Sequence, residues 1–92
     1  MLRETEVEKY LKKEVESRGG VCWKFTSATS GVPDRVVLLP AGVIAFCEVK
    51  RLGALPRPQQ VKRLLQIQRL GTTATWVDSK ESVKEFLNEI CA

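Results

Sequence analysis

Three stretches of the chain have apolar side chains at the three- and four-residue spacing of an amphipathic helix. The first spans residues 4 to 18 and stops at Gly19-Gly20, where glycine can adopt the backbone geometry of a helix end. The second starts at Pro58, and the third follows Asp78, which stands three residues before Glu81 as in a capping box. We expect the buried faces of the second and third helices to consist of Val61, Leu64, Leu65 and Leu70, and of Val83, Phe86, Leu87 and Ile90.

Four shorter stretches have the β-branched and aromatic content of strands. They cover residues 21 to 25, 34 to 39, 43 to 49 and 73 to 77. The stretch 43 to 49 is apolar on both of its alternating faces, which is typical of a strand covered on both sides. The pattern therefore predicts an α/β fold of order α-β-β-β-α-β-α, with a mixed central sheet flanked by helices.

The turn between the second and third strands fixes how they pair. If Pro40-Ala41-Gly42 forms a three-residue turn, Leu39 lies opposite Val43 and the residue numbers of every opposed pair have the same sum. Apolar residues then face apolar residues: Val36 faces Phe46, and Leu38 faces Ile44. A two-residue turn would break that match. The three-residue turn also sets Asp34 opposite Glu48.

Two opposed carboxylates at a strand end suggest a cation site. Opposed side chains on one sheet face have Cβ atoms about 4.5–5.5 Å apart, so Asp34 and Glu48 would repel each other unless a cation lay between them. Mg²⁺ accepts one or two carboxylates together with phosphate and water, and Lys50 projects to the same face. Such a group suits phosphodiester hydrolysis. The alternative is an ordinary Glu48–Lys50 salt bridge at a solvated strand end.

Composition narrows the chemistry further. The chain has no histidine, which removes the usual general base, histidine-dependent nucleophiles and His-ligated metal sites. Its three cysteines are widely spaced among apolar neighbours, so we expect buried side chains rather than disulfides or a zinc site. These are Cys22, Cys47 and Cys91.

Positive charge is concentrated in the second half of the chain. The formal net charge is +4, and the stretch from Val49 to Val77 contains six basic residues and no acidic one. This stretch is either a solvated face or a site for a polyanion. The chain has no apolar run long enough to cross a bilayer, and its N-terminus is charged where a secretion signal would be apolar. We expect a soluble single domain over residues 1–92, located in the cytoplasm of a bacterial or phage-infected cell, with neither a membrane partner nor an organic cofactor.

The stretch SGVPDRVVLLPAGVIAFCEVKR resembles the core of the PD-(D/E)XK nucleases, which have the restriction-endonuclease-like fold. The combination of GVPD and EVK, preceded by GG and followed by PRPQQ, is similar to the VRR-NUC family, especially its small stand-alone phage or prophage members. This resemblance extends over nearly the whole chain. It implies a nuclease that requires Mg²⁺ or Mn²⁺.

The resemblance also implies roles for single residues. Asp34, Glu48 and the backbone carbonyl of Val49 would bind the metal, and Lys50 would orient water and stabilise charge. A glutamate of the first helix matches Glu8, as a ligand through water or a second metal, with Glu4 one turn away as its competitor. A glutamine of the second helix matches Gln60, beside Gln59. Candidate phosphate contacts are Lys24, Arg35, Arg51 and Arg57.

Stand-alone members of this family resemble homodimeric, structure-specific endonucleases acting on branched DNA such as four-way junctions. A homodimer would also help so small a core. Two alternatives stay open at the level of sequence. One is a module of the same fold that binds nucleic acid without cleaving it, and the other is a nuclease acting on flaps, single strands or RNA.

Overall fold

The computed structural model describes residues 2 to 91, which contain three α-helices and four β-strands. In chain order these are α1 (Glu4–Ser17), β1 (Val21–Lys24), β2 (Arg35–Leu39), β3 (Val43–Val49), α2 (Pro58–Arg69), β4 (Thr73–Val77) and α3 (Lys80–Ile90). The predicted order of elements is confirmed. Proline at the first position of α2 has its φ angle preset for a helix and lacks only an N–H that would have no helical partner there.

The sheet is mixed and has the order β1-β2-β3-β4. The first three strands are antiparallel neighbours, whereas β4 runs parallel to β3 and is reached through α2. Strand β3 therefore lies inside the sheet, between β2 and β4, as its two apolar faces predict.

The pairing predicted for the hairpin is confirmed. Leu39 pairs with Val43, and the ladder continues in that register to Arg35 and Cys47. The connection Pro40–Gly42 is a short 3₁₀ turn in which Ala41 and Gly42 have φ angles of 68° and 76°. One more step along the register brings Asp34 opposite Glu48.

Each face of the sheet has a different covering. The core face packs against α1 and α3 and carries alternate residues such as Val37, Ala45 and Val49, all fully buried. We call the opposite side the α2 face, because α2 packs there against β4. It carries Glu48 and, over β1 and β2, side chains that are exposed or half-buried.

The buried face predicted for α2 is wrong in part. Leu64 is buried, but Val61 and Leu65 are 41% and 44% exposed, and Leu70 is 81% exposed. The helix turns Gln60 and Leu64, four residues apart, toward the sheet. Polar Gln60 takes a buried position that the apolar pattern would assign to a hydrophobic residue.

Two smaller expectations also need correction. Helix α3 is capped by Ser79, whose hydroxyl accepts a hydrogen bond from the Ser82 amide, rather than by Asp78. Cys91 is exposed, whereas Cys22 and Cys47 are buried as expected, and burial raises the pKa of both of these thiols. Within residues 2 to 91, none of the helices has the length and apolar character needed to span a bilayer.

Candidate active site

Asp34 is held at the end of β2 by backbone contacts. Its carbonyl accepts a hydrogen bond of 2.9 Å from the amide of Phe25, and its Oδ1 accepts one of 3.3 Å from the amide of Val49. Its side chain is 39% exposed. The carboxylate therefore lies at the end of the strand, hydrogen-bonded to β3, which carries Glu48, and open to solvent.

The loop before Asp34 is fixed against α2 through Gly31. Gly31 has a φ angle of 85°, and a Cβ atom built on it would lie only 2.6 Å from the carbonyl oxygen of Gln59. Arg63 also donates from Nε to the Ser30 carbonyl over 2.9 Å. Glycine is required here both for the positive φ angle and for the close approach.

Glu48 is oriented by Gln60. The backbone amide of Arg57 can only donate, and it lies 2.8 Å from Gln60 Oε1, so the Gln60 amide nitrogen must face the other way. Gln60 Nε2 then donates to Glu48 Oε2 over 3.1 Å. Both side chains are largely buried, at 6% and 7% exposure. The capping of α2 and the orientation of the carboxylate thus depend on one side chain.

The two predicted carboxylates repel each other electrostatically. Burial raises the pKa of Glu48, and the negative charge of Asp34 raises it further. The ammonium of Lys50, 3.7 Å from Glu48 Oε2, and the backbone amide of Asp34 act in the opposite direction. Glu48 therefore carries its charge at an energetic cost that a further cation would relieve.

The glutamates of α1 have different surroundings. Glu8 forms an ion pair with Arg35, which belongs to the core face and is only 4% exposed. Arg35 Nη1 also donates to the Asp34 carbonyl over 2.8 Å. Glu4 is exposed, and its charge contributes to raising the pKa of Glu48. It shares a surface pocket of about 440 Å³ with Lys50.

The predicted phosphate contacts also differ in accessibility. Lys24, Arg51 and Arg57 are exposed. Arg35 is buried, and a phosphate could reach its guanidinium only by displacing Glu8. A larger groove of about 720 Å³ runs along β4 between Gln68 and Glu89, and none of the predicted site residues lines it.

The oxygen donors suit a hard cation. Among residues 2 to 91, no three or more acidic, cysteine or histidine side chains come together as a metal site. A cation at this position would therefore have two carboxylate ligands from the protein, Asp34 and Glu48. Two carboxylates fit Mg²⁺ or Mn²⁺, because such ions commonly take their remaining ligands from substrate phosphate, backbone carbonyls and water. The thiols of Cys22 and Cys47 belong to the core on the opposite side of the sheet from Glu48, so neither of them faces this position.

Known proteins resemble both the sequence and the structure. The protein named "Putative nuclease p44", from Acyrthosiphon pisum secondary endosymbiont phage 1, is 40% identical over 82 residues, covering 88% of each chain. A solved structure described as a VRR_NUC domain superposes with a TM-score of 0.86 at 32% identity, over 96% of this chain and 97% of that one.

The chain belongs to the VRR-NUC family of nucleases. It has the restriction-endonuclease-like fold of this family and is similar to the phage protein named as a putative nuclease. A second solved structure, a VRR_NUC domain protein, shares the fold with a TM-score of 0.74 at 15% identity, over 97% of this chain and 88% of that one. No model in a scan of protein families matches the sequence.

Sequence reasoning missed two exposed aromatic residues beside the pair of Asp34 and Glu48. Trp23 is 58% exposed and Phe25 is 38% exposed, although large aromatic side chains in strands more often pack in the core. The parity of the strand positions could have placed residues 23 and 25 on the same sheet face as Asp34 and Glu48, but it does not reveal that they are exposed.

Proposed function

We propose that the protein is an endonuclease that requires Mg²⁺ or Mn²⁺ and hydrolyses phosphodiester bonds of DNA by in-line attack of water. Its substrate is branched DNA such as a four-way junction, and it acts as a homodimer in the cytoplasm of a bacterial or phage-infected cell. The observation that carries this proposal is the opposition of Asp34 to Glu48, with Lys50 beside them.

Asp34, Glu48 and the backbone carbonyl of Val49 would hold the cation. When bound there, it would polarise the scissile phosphate and lower the pKa of a water molecule. Support comes from the raised pKa of Glu48. Burial and the neighbouring charge of Asp34 make the ionised carboxylate unfavourable, and a bound cation would offset that cost.

Lys50 and Gln60 would act on either side of this carboxylate. The Lys50 ammonium, on a mostly buried side chain and 3.7 Å from Glu48, is positioned to orient water and to stabilise the extra negative charge of the transition state. Gln60 keeps Glu48 in one orientation through its hydrogen bond of 3.1 Å. For helix α1 the proposal keeps two candidates, Glu8 and Glu4, whose different surroundings make them separable by mutation.

The exposed basic residues Lys24, Arg51 and Arg57 support binding to a polyanion. Arg35 stays a candidate only if its ion pair with Glu8 opens. Support for the homodimer comes from family resemblance and from exposed apolar side chains such as Val61 and Leu70. A dimer carries two active sites, which would allow paired incisions in a junction.

The test is a cleavage assay on labelled four-way junction, flap, linear duplex, single-stranded DNA and RNA of matched sequence. Wild type is compared with Glu48→Gln and with Glu89→Gln, a control on the exposed side of α3. We expect cutting of the junction with Mg²⁺ or Mn²⁺, no cutting in EDTA, and loss of cutting in Glu48→Gln alone. Light scattering measures the mass of the protein and so tests whether it is a homodimer.

Other results would change the assignment. Binding that weakens steeply with salt, without any metal-dependent product, would replace the enzyme by a binding module. Equal cutting of junction and linear duplex would contradict junction specificity, and preferential cutting of a flap, a single strand or RNA would name a different substrate. A monomeric mass that persists on DNA would contradict the homodimer.

A further inference from the structure

Trp23 and Phe25 form an exposed aromatic surface beside the carboxylate pair. Trp23 is 58% exposed and Phe25 is 38% exposed, although both lie in or next to a strand of the sheet. Phe25 also makes an edge contact with Phe46, at 5.5 Å between ring centroids and 76° between planes. Phe46 belongs to the α2 face, so the rings of Phe25 and Phe46 lie on the side of the sheet that carries Glu48.

The strand register places these rings in line with the site. Trp23 pairs with Val36, which pairs with Phe46. The next row begins at Phe25, whose amide donates to the Asp34 carbonyl over 2.9 Å, and continues through Asp34 to Glu48. Neighbouring strands are about 4.8 Å apart, so Phe25 lies about 10 Å from Glu48 across the sheet. A DNA strand rises about 3.4 Å per nucleotide, so this span corresponds to about three nucleotides.

We propose that Trp23 and Phe25 are a stacking platform for an unpaired base of the DNA strand that is being cut. This inference rests on the proposed nuclease function and adds a substrate class to it: DNA with unstacked nucleotides within a few positions of the scissile phosphate. Bases inside a continuous duplex are already stacked and cannot lie on the rings, whereas those at a junction centre, gap or flap can.

The position and chemistry of the surface favour a base over a second copy of the chain. The aromatic rings occupy the two rows nearest the carboxylates, whereas the row farther away, Val21, Leu38 and Ile44, is aliphatic. A strand whose phosphate lies at Asp34 and Glu48 has the Phe25 ring beside it. Stacking on Trp23 would also explain why this large ring is left in solvent next to the site.

The experiment measures DNA affinity in EDTA, where the proposed cleavage cannot occur. Fluorescence anisotropy compares a duplex containing a short single-stranded gap with a continuous duplex of equal length. The variants are Trp23→Ala, Trp23→Phe and Ile44→Ala. Ile44 is the matched control, since it is 49% exposed on the same face but aliphatic and farther from the carboxylates. Thermal unfolding verifies that each variant is folded, and light scattering gives its mass.

We expect Trp23→Ala to weaken binding to the gapped DNA about 10-fold, as the loss of one stacked base implies, and to leave duplex affinity within about 2-fold. Trp23→Phe should retain most of the affinity, and Ile44→Ala should match wild type. Unchanged gapped-DNA affinity in folded Trp23→Ala would overturn the platform. So would an equal loss for both DNAs, or conversion of a dimer to monomer by both Trp23→Ala and Ile44→Ala, which would make this face an interface between copies.

Failure of the platform is distinguishable from failure of the proposed nuclease function. A wild type that cuts DNA with Mg²⁺, while Trp23→Ala keeps full affinity for the gapped DNA, contradicts the platform alone. A wild type that binds the gapped DNA through Trp23 but yields no metal-dependent product contradicts the nuclease function alone.

Discussion

Gln60 donates a hydrogen bond of 3.1 Å to the buried carboxylate of Glu48, and its carbonyl oxygen caps α2 by accepting the Arg57 amide. The start of the helix and the orientation of a predicted metal ligand are therefore linked through one amide group. This linkage gives Gln60 a measurable role that its neighbour Gln59 lacks.

Gln60→Ala should lower activity about 10-fold or more, since substitutions of groups that orient a metal ligand typically cost 10–100-fold. It should also lower the free energy of unfolding by about 1–3 kcal/mol, because Glu48 loses its buried donor. Gln59→Ala is the matched control and should change cleavage little. Steady-state cleavage kinetics and urea unfolding measure both effects. Equal activity losses in the two variants would contradict the assignment.

The charge of Glu48 should make stability depend on pH in a defined direction. The pKa of Glu48 is higher in the folded than in the unfolded protein. Its contribution to the free energy of unfolding is therefore fully present below the unfolded pKa and is lost as pH rises through the folded pKa. Glu48→Gln has no such loss. In EDTA, the stability of Glu48→Gln minus that of wild type should therefore increase with pH through this window.

Urea unfolding at several values between about pH 4 and 8 would measure that difference. Glu89→Gln, at an exposed position, serves as the control for removing one negative charge. A difference that stays flat or decreases with pH would show that burial and the Asp34 charge do not dominate the environment of Glu48.

The two carboxylates of α1 should respond differently to neutralisation. Glu8→Gln removes the partner of buried Arg35 and should lower the free energy of unfolding by about 1–3 kcal/mol. Glu4→Gln, at an exposed position near Lys50, should leave the protein as stable as wild type. Measuring Mn²⁺ affinity in parallel identifies the ligand: the helix-one carboxylate that assists the cation is the one whose loss weakens Mn²⁺ binding. Loss of stability in Glu4→Gln but not in Glu8→Gln would contradict the described pairing.

Gly31→Ala should be more damaging than Gly53→Ala, although both glycines have a φ angle of 85°. The strained backbone alone costs about 1–3 kcal/mol and is common to both variants. Only at Gly31 would the new Cβ meet another atom, the Gln59 carbonyl oxygen at 2.6 Å. Chemical denaturation with a cleavage assay should show an extra loss of stability and of activity in Gly31→Ala, as its loop ends at Asp34. Equal losses would mean that the approach to α2 has no role.

The sheet and the carboxylate pair could be predicted because they depend on local rules. A three-residue turn and the matching of apolar residues across the hairpin fix its register, and the register in turn sets Asp34 opposite Glu48. The end of α1 and the start of α2 follow from glycine and proline, whose backbone preferences are strong.

Other features depend on tertiary packing and could not be predicted in the same way. The rotation of α2 is set by the burial of Gln60 against Glu48, a polar contact that overrides the apolar pattern of Val61 and Leu65. The exposure of Trp23 follows from α2 packing against β4, which leaves β1 open on that face. The ion pair between Glu8 and Arg35 joins residues on different elements, which sequence spacing does not reveal.

The proposed cation site is tested by calorimetric titration of Mn²⁺ into wild type, Asp34→Asn, Glu48→Gln and Glu89→Gln. We expect Mn²⁺ to bind wild type and Glu89→Gln, and to bind each of the other two variants about 10-fold or more weakly, because each removes one of the two carboxylate ligands. Mn²⁺ binding that is unchanged in folded Asp34→Asn and Glu48→Gln would contradict a cation site between these residues.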